Sequence, residues 1–323
     1  MTHPRPLGRS GLEVSPVGLG CWQFSEGKGL AGSYWPALPQ ETANRIVAAS
    51  LAAGVTWFDT AEAYGWGRSE AALAAALQAS GKRNGDVVVA TKWWPAFRTA
   101  RSIGHTVAER LTRLTPFGID LHQVHQPFAL ASVAAQMNAM ADLVDAGRVR
   151  AVGVSNFTAA GMRAAHRALA ARRIPLASNQ VRYSLLDRRI ETDGVLQAAR
   201  ELGVTIIAYS PLAQGILSGK FHREPGLIRT RPGPRKWLPG FRRSGLERSR
   251  PLVTAVRDVA AARGAAPSQV ALAWLLQIHG EAVVVIPGAS AEEQARENAG
   301  AAELRLSEVE KSRLDDLSRA WTV

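Results

Sequence analysis

The stretch WFDTAEAYGWGRSE, residues 57–70, places a carboxylate at the end of a β-branched and aromatic run and a phenol five residues on: Asp59 and Tyr64. Two further apolar runs end on ionisable groups, VVVATK on Lys92 and IDLHQVH on His125. These four side chains form an acid–base set if they meet. An ammonium beside a phenol favours the phenolate and eases release of its proton. A carboxylate beside that ammonium keeps it charged in a buried place, where an isolated lysine would lose its proton. An imidazole can donate a hydrogen bond and fix its direction. Taken singly, each group has a plainer reading. Asp59 reads as a helix N-cap and Tyr64 as a core residue, whereas a lysine closing an apolar strand is harder to explain.

The elements that would position these groups alternate regularly. Apolar runs read as strands at 17–22, 55–59, 87–92, 119–125, 149–155, 177–181, 204–210 and 282–288. Between them lie amphipathic segments at 41–53, 68–80, 100–114, 131–146, 158–172, 193–202, 251–279 (two helices, broken at Gly264 to Pro267) and 291–301, with a last helix at 307–319. Strands apolar on both faces and separated by helices imply a parallel sheet. Eight such units imply an α/β fold, a closed (β/α)8 TIM barrel with two extra helices, as a single domain over residues 1–323. No GxGxxG follows an early strand, which argues against a dinucleotide-binding doubly wound sheet. LGRSGLEVSP, from Leu7 to Pro16, reads as an N-terminal β-hairpin at the bottom of the barrel. Long loops are expected at 23–40 and 212–250. In a barrel, chemistry stands at the C-terminal strand ends. Polar residues occupy that end of seven strands: Asp59, Lys92, His125, Ser155 with Asn156, Asn179 with Gln180, Tyr209 with Ser210, and Ser290 beyond Gly288.

Composition narrows the classes. No run of 18 uncharged apolar residues exists, and the N-terminus has no apolar signal core, so a soluble cytoplasmic protein without membrane attachment is expected. Cys21 is the one cysteine, which excludes an internal disulfide and a cysteine-rich metal site. HxxH at 122–125 has poor ligand geometry in a strand, and no metal is expected; alternation puts His122 on the opposite face from His125, in packing or toward solvent. His279 falls in a helical segment and looks unremarkable. The net charge is +12 and the sequence pI about 10.7, with 33 arginines against six lysines. The basic residues concentrate between 222 and 250. They lack an aromatic ladder or helix-turn-helix pattern, so a nucleic-acid partner is not expected.

GLGCW (18–22), FDTAEAYGWGRSE (58–70), VVVATK (87–92), IDLHQVHQP (119–127), VGVSNF (152–157), SNQVRYSLL (178–186), AYSPLAQGILSGK (208–220) and VIPGASAEEQARENAGA (285–301) occur in the order found in the aldo-keto reductases, and the chain resembles that family over essentially its whole length. The resemblance implies a barrel that binds NADPH in extended form and reduces aldehydes and ketones. It assigns Asp59, Tyr64, Lys92 and His125 to the family's catalytic four, with Tyr64 as proton donor.

By the same resemblance Ser155, Asn156 and Gln180 hold a carboxamide and Tyr209 faces a nicotinamide ring. Ser210, Leu212 and Gln214 lie where a pyrophosphate passes, and Gly288, Ser290, Gln294, Glu297 and Asn298 where the adenosine end sits. The basic residue that many relatives carry just after IPG is absent: Ala289, Ser290 and Ala291 follow, and Gln294 stands where some relatives have arginine. NADP(H) nevertheless remains the expected cofactor, supported by Ser290 and the helix N-terminus, with NAD(H) kept open. Trp22, Trp66 and Trp93, among other loop aromatics, are expected to wall an apolar or aromatic carbonyl substrate. The alternative is a cofactor-binding regulatory protein with weak reductase activity. Oligomeric state is not readable.

Overall fold

A computed structural model describes residues 3–29, 34–231 and 233–322. Part of the 23–40 segment, residues 30–33, lies outside the described residues. A two-stranded antiparallel hairpin, β1 (Arg5–Pro6) and β2 (Glu13–Val14), comes first. Eight parallel strands follow: β3 (Leu19–Gly20), β4 (Trp57–Asp59), β5 (Val88–Trp93), β6 (Ile119–Val124), β7 (Val149–Ser155), β8 (Leu176–Arg182), β9 (Thr205–Tyr209) and β10 (Val283–Ile286). Each pairs with its sequence neighbour, and bridges Val17↔Val285 and Gly20↔Gly288 join the first strand to the last. The fold is a (β/α)8 barrel.

The helices are α1 (Gln40–Ala52), α2 (Arg68–Ala79), α3 (Arg101–Leu114), α4 (Val133–Asp145), α5 (Ala159–Ala170), α6 (Val195–Leu202), the short α7 (Lys220–Arg223), α8 (Arg243–Ala262), α9 (Pro267–Ile278), α10 (Glu292–Gly300) and α11 (Glu308–Ser318). Those between strands pack their apolar stripes on the barrel's outer face, while α8 and α11 are additions to the repeat. No described helix is long and apolar enough to cross a membrane.

Two-residue alternation sorts the strands into an inner and an outer set. Trp57, Ala90, Leu121, Ala151, Ala177, Ile207 and Val284 fill the barrel's lower half, and Leu7, Leu12 and Val14 of the hairpin join that same cluster. Thr205 donates to the Pro6 carbonyl at 2.9 Å, and Trp57 donates its indole N–H to the Ser15 carbonyl at 2.9 Å, so the hairpin is bonded into the bottom opening. Above them the inward positions are Asp59, Lys92 and Gln123, each one pleat higher, with Ser155, two pleats above Ala151, and Gln180. A bulge in β8, opposite the Val152–Gly153 step of β7, keeps Gln180 in this upper layer.

The segment expected as a loop over 212–250 is not one. Short 3-10 turns at Ala213–Ser218, Pro225–Thr230, Pro234–Trp237 and Pro239–Phe241 run through it, together with α7. Its own small core of Ile216, Phe221, Ile228, Phe241 and Leu246 holds it together. Packing of Leu246 also explains why α8 begins at Arg243 rather than at Pro251, which sits inside the helix. A proline ordinarily marks a helix start, and here tertiary contacts override that signal.

Candidate active site

The floor of the site is a four-residue polar network. β4 delivers Asp59 and β5 delivers Lys92, both fully buried. The Lys92 ammonium donates a short bond to Asp59 and a second, of 2.8 Å, to the Thr60 carbonyl. The other Asp59 oxygen accepts from Gln123 at 3.1 Å and from Gln180 at 2.9 Å. Burial pulls the Lys92 pKa down, and the Asp59 carboxylate opposes that pull.

Tyr64 reaches the same place from the loop after β4. Thr60 bonds back to the Ala90 carbonyl and Glu62 to the Lys92 carbonyl, so the loop turns directly across β5. Gly65 completes the turn at φ 66°, where a Cβ would meet the Ser25 carbonyl oxygen at 2.5 Å; only glycine fits. The phenol ring then lies 5.0 Å from the Lys92 ammonium, edge-on to His125 at 5.6 Å and stacked on Trp22 at 5.8 Å. Burial, then the negative charge of Asp59, raise the Tyr64 pKa well above the usual phenol value. The group is therefore held as the protonated phenol. His125 stands just past β6, its amide bonded to the Trp93 carbonyl at 3.0 Å. Burial, reinforced by the Lys92 charge, pushes its pKa well below the usual value, so the imidazole is neutral.

An elongated cavity of about 700 Å³ opens above this floor. Asp59, Tyr64 and His125 line it, with Ser155, Asn156, Gln180, Tyr209, Ser210, Leu212, Gln214, Gly288, Ser290, Gln294, Glu297 and Asn298 along its length. Lys92 stays beneath Tyr64. Asn156, in the left-handed region at φ 62°, accepts from the Tyr209 hydroxyl at 3.0 Å and donates to the His125 carbonyl at 3.3 Å. The Gln180 amide nitrogen is engaged with Asp59, so this residue belongs to the floor as well as the wall.

Two tryptophan expectations need correction. Trp93 does not face the cavity. Lys92 points inward, so alternation sends Trp93 outward into the strand–helix core, where its N–H bonds Ser102 at 3.0 Å. Trp94 takes its place on the wall, edge-on to His125 at 5.2 Å. Trp66, at φ 56°, is half exposed and outside the cavity lining; its indole lies against Gly29. Trp22 does line the cavity and stacks with Tyr34 at 5.0 Å.

The sequence reading passed over several residues. Gln123 could have been found by stepping two residues inward from Leu121. Glu62, inside the 57–70 stretch, accepts from the Trp94 amide at 2.9 Å and binds Arg98 at 2.7 Å and Arg110 at 2.9 Å. It thereby fixes the start of the loop after β5. Lys220, Arg223, Arg231 and Arg235 line the cavity beside Gln214 and Gly215, and among the described residues none of these four cations has an ion pair. Arg235 stacks on Trp35 at 4.1 Å, and its Nε is buried without a partner. His279, far from unremarkable, accepts at Nδ1 from Arg200 at 2.9 Å and shares a hydrogen bond of 2.8 Å between Nε2 and the Tyr183 hydroxyl, outside the cavity.

A buried acid–base group at one end of a long, cation-edged cavity in a (β/α)8 barrel agrees with what other proteins show. Residues 16–319 match the model of the Aldo/keto reductase family. The chain belongs to that family. Among relatives of this aldo/keto reductase, an uncharacterized oxidoreductase of Mycobacterium tuberculosis (strain ATCC 25618 / H37Rv) is 40% identical over 309 residues, spanning 96% of this chain and 91% of its own. Aldo-keto reductase str7 of Strobilurus tenacellus is 33% identical, spanning 95% and 90%. Among solved structures, a thermostable aldo-keto reductase, Tm1743, in complex with the inhibitor epalrestat superposes with a TM-score of 0.76 at 30% identity, over 98% of this chain and 99% of that one. An aldo-keto reductase from Klebsiella pneumoniae in complex with NADPH gives 0.74 at 27% identity, over 98% and 95%. The chain is thus an oxidoreductase of this family, of a kind consistent with carbonyl reduction.

Proposed function

We propose that the protein reduces an aldehyde or ketone to the alcohol with NADPH, Tyr64 giving the proton. The observation that carries this reading is the Lys92 ammonium lying 5.0 Å from the Tyr64 ring while bonded to Asp59.

The cavity suits a dinucleotide. Gly288 opens the wall, because a Cβ there would strike the Gln23 side chain at 2.2 Å, and Gln23 Oε1, Gln214 Oε1 and Arg235 Nε are buried without partners along the same lining. Ser155, Asn156 and Tyr209 would meet the nicotinamide end. Gln214, Lys220 and Arg235 would meet phosphate oxygens, while Ser290, Gln294, Glu297 and Asn298 would meet the adenosine end. The unpaired cations favour the cofactor with more phosphate charge, which supports NADPH despite the missing basic residue after Gly288. The bound cofactor supplies hydride to the carbonyl carbon.

The chain's own residues handle the oxygen. Tyr64 donates a hydrogen bond to the carbonyl oxygen and then its proton. Lys92 stabilises the phenolate left behind, and Asp59, held by Gln123 and Gln180, keeps Lys92 charged. Neutral His125 directs the oxygen toward Tyr64. Trp22, Trp35 and Trp94 exclude water from the reacting end. The comparisons give no support to the regulatory alternative.

The test is NADPH oxidation with a panel of aldehydes and ketones, using Tyr64→Phe as control. Turnover in the wild type and a large loss in the variant are expected. Full activity of Tyr64→Phe would sink the mechanism, and a more than tenfold tighter affinity for NADH would sink the cofactor preference.

A further inference from the structure

Two buried carboxylates flank Tyr64 along the chain, and neither has a part in the reaction above. Glu62 precedes it and is 4% exposed; Glu70 follows it in the first turn of α2 and is fully buried. Both reach one cation. Arg110 of α3 is 2% exposed, with Nη1 2.9 Å from Glu62 Oε1 and Nε 2.9 Å from Glu70 Oε2. These two contacts are between charges and lack hydrogen-bond alignment. A single guanidinium therefore spans both ends of the segment that carries the phenol.

Each carboxylate is also tied to β5 or to the residue just past it. The Thr91 hydroxyl donates to Glu70 Oε1 at 2.6 Å, and the Trp94 amide donates to Glu62 Oε2 at 2.9 Å. Thr91 is the neighbour of Lys92. Between the two carboxylates the chain closes on itself, the Gly67 amide bonding the Glu62 carbonyl at 3.0 Å and the Ser69 amide the Tyr64 carbonyl at 3.2 Å. α3 touches this loop a second time one turn on, because a Cβ at Gly67 would meet Arg113 Cδ at 2.3 Å. The loop that presents Tyr64 is thus fastened to the strand that presents Lys92 through one charged cluster.

A buried ion pair is a poor source of stability, since desolvation offsets most of its attraction, and packed apolar side chains would join these elements as firmly. What the cluster adds is position, because Arg110 has to sit where both carboxylates meet it. Proton donation depends on position, and about 1 Å of misplacement can cost roughly 10²-fold in rate.

We propose that Arg110 is a positioning residue, which by pairing with both Glu62 and Glu70 sets the loop so that Tyr64 stands over Lys92. The proposal rests on the carbonyl-reductase reading above, in which Tyr64 gives the proton.

The test compares the wild type with Arg110→Lys, Glu62→Gln and Glu70→Gln. Lysine keeps the charge but has one nitrogen in place of the two that meet the carboxylates, and glutamine keeps the volume but removes one pair. Burial, opposed by the Arg110 charge, lifts the Glu70 carboxyl to about 7. The measurements are therefore made at about pH 8, where Glu70 is ionised. Enzyme loaded with NADPH is mixed with an aldehyde, and the rate constant and amplitude of a single turnover are read beside the Kd for NADPH and the unfolding free energy in urea. The expected results are a rate constant lowered about 10- to 100-fold in Arg110→Lys and at least threefold in each glutamine variant, with the Kd within about twofold of the wild type. A lower amplitude or weaker resistance to urea with an unchanged rate constant shows support of the fold alone and overturns the proposal. A parallel loss of NADPH affinity shows general loosening of the barrel and overturns it as well. Should Arg110→Lys not fold, the glutamine variants decide by the same measures. Wild-type turnover with unaltered variants overturns the positioning role and leaves the reductase reading standing, whereas a wild type inactive on every aldehyde and ketone overturns both.

Discussion

The Lys92 ammonium lies 5.0 Å from the centroid of the Tyr64 ring and is bonded to Asp59 and the Thr60 carbonyl. Replacing it with a neutral chain of similar length isolates that charge. Lys92→Met is expected to lower kcat for carbonyl reduction by about 10²- to 10⁴-fold, with cofactor affinity nearly unchanged. Stopped-flow turnover and a fluorescence titration check the two halves.

Gln123 and Gln180 both donate to the second oxygen of Asp59. Gln123→Leu removes one charge-directed bond at a fully buried site, a loss of about 1.5–3 kcal/mol. The expected outcome is a destabilised fold by urea titration and a roughly tenfold lower kcat. A variant indistinguishable from wild type in both would remove Gln123 from the supporting network.

Arg235 is buried, stacked on Trp35, and lacks a partner at Nε. Arg235→Ala is expected to raise the Kd for NADPH about 10- to 100-fold, with weaker salt dependence than the wild type. An unchanged Kd would mean that phosphate passes elsewhere.

Trp93 and Trp94 are adjacent and do different work. Trp93→Ala opens a hole in the core and is expected to cost about 3–5 kcal/mol of stability, leaving KM for the carbonyl compound unaltered. Trp94→Ala is expected to do the reverse, raising KM with a small effect on stability. Paired denaturation and kinetic measurements separate them, and a KM effect at Trp93 would contradict the outward orientation.

His122 sits fully buried between β6 and α3, and burial, with Arg110 as the second cause, holds its pKa at about 4. Its folded pKa lies below the unfolded value of about 6.5, so the unfolded chain takes up the proton first. Stability from this group is complete above pH 6.5 and is lost as pH falls toward 4, by about 3 kcal/mol. Comparing the unfolding free energy of wild type and His122→Met across that range should show a shallower pH dependence in the variant; equal slopes would refute it.

Much of this was legible in the residues. Apolar runs ending on Asp59, Lys92 and His125 marked one end of the barrel, and two-residue alternation decided which side chains entered it. The same alternation, carried one residue further, would have turned Trp93 outward and brought Gln123 in. Other features depend on contacts between distant segments. Nothing local to Pro251 says that α8 continues through it, because that depends on Leu246 meeting Phe241 and Ile228. Nothing near His279 names Tyr183 or Arg200 as its partners. The unpaired cations Lys220 and Arg235 stood out only as part of a basic stretch until the turns of residues 213–241 brought them to one wall.

The hairpin stopper at the lower opening makes the barrel a blind well. Everything that enters by the upper rim must also leave by it. Under the proposed function, a dinucleotide stretched along that rim would have to arrive before the compound laid over its reactive end and leave after it.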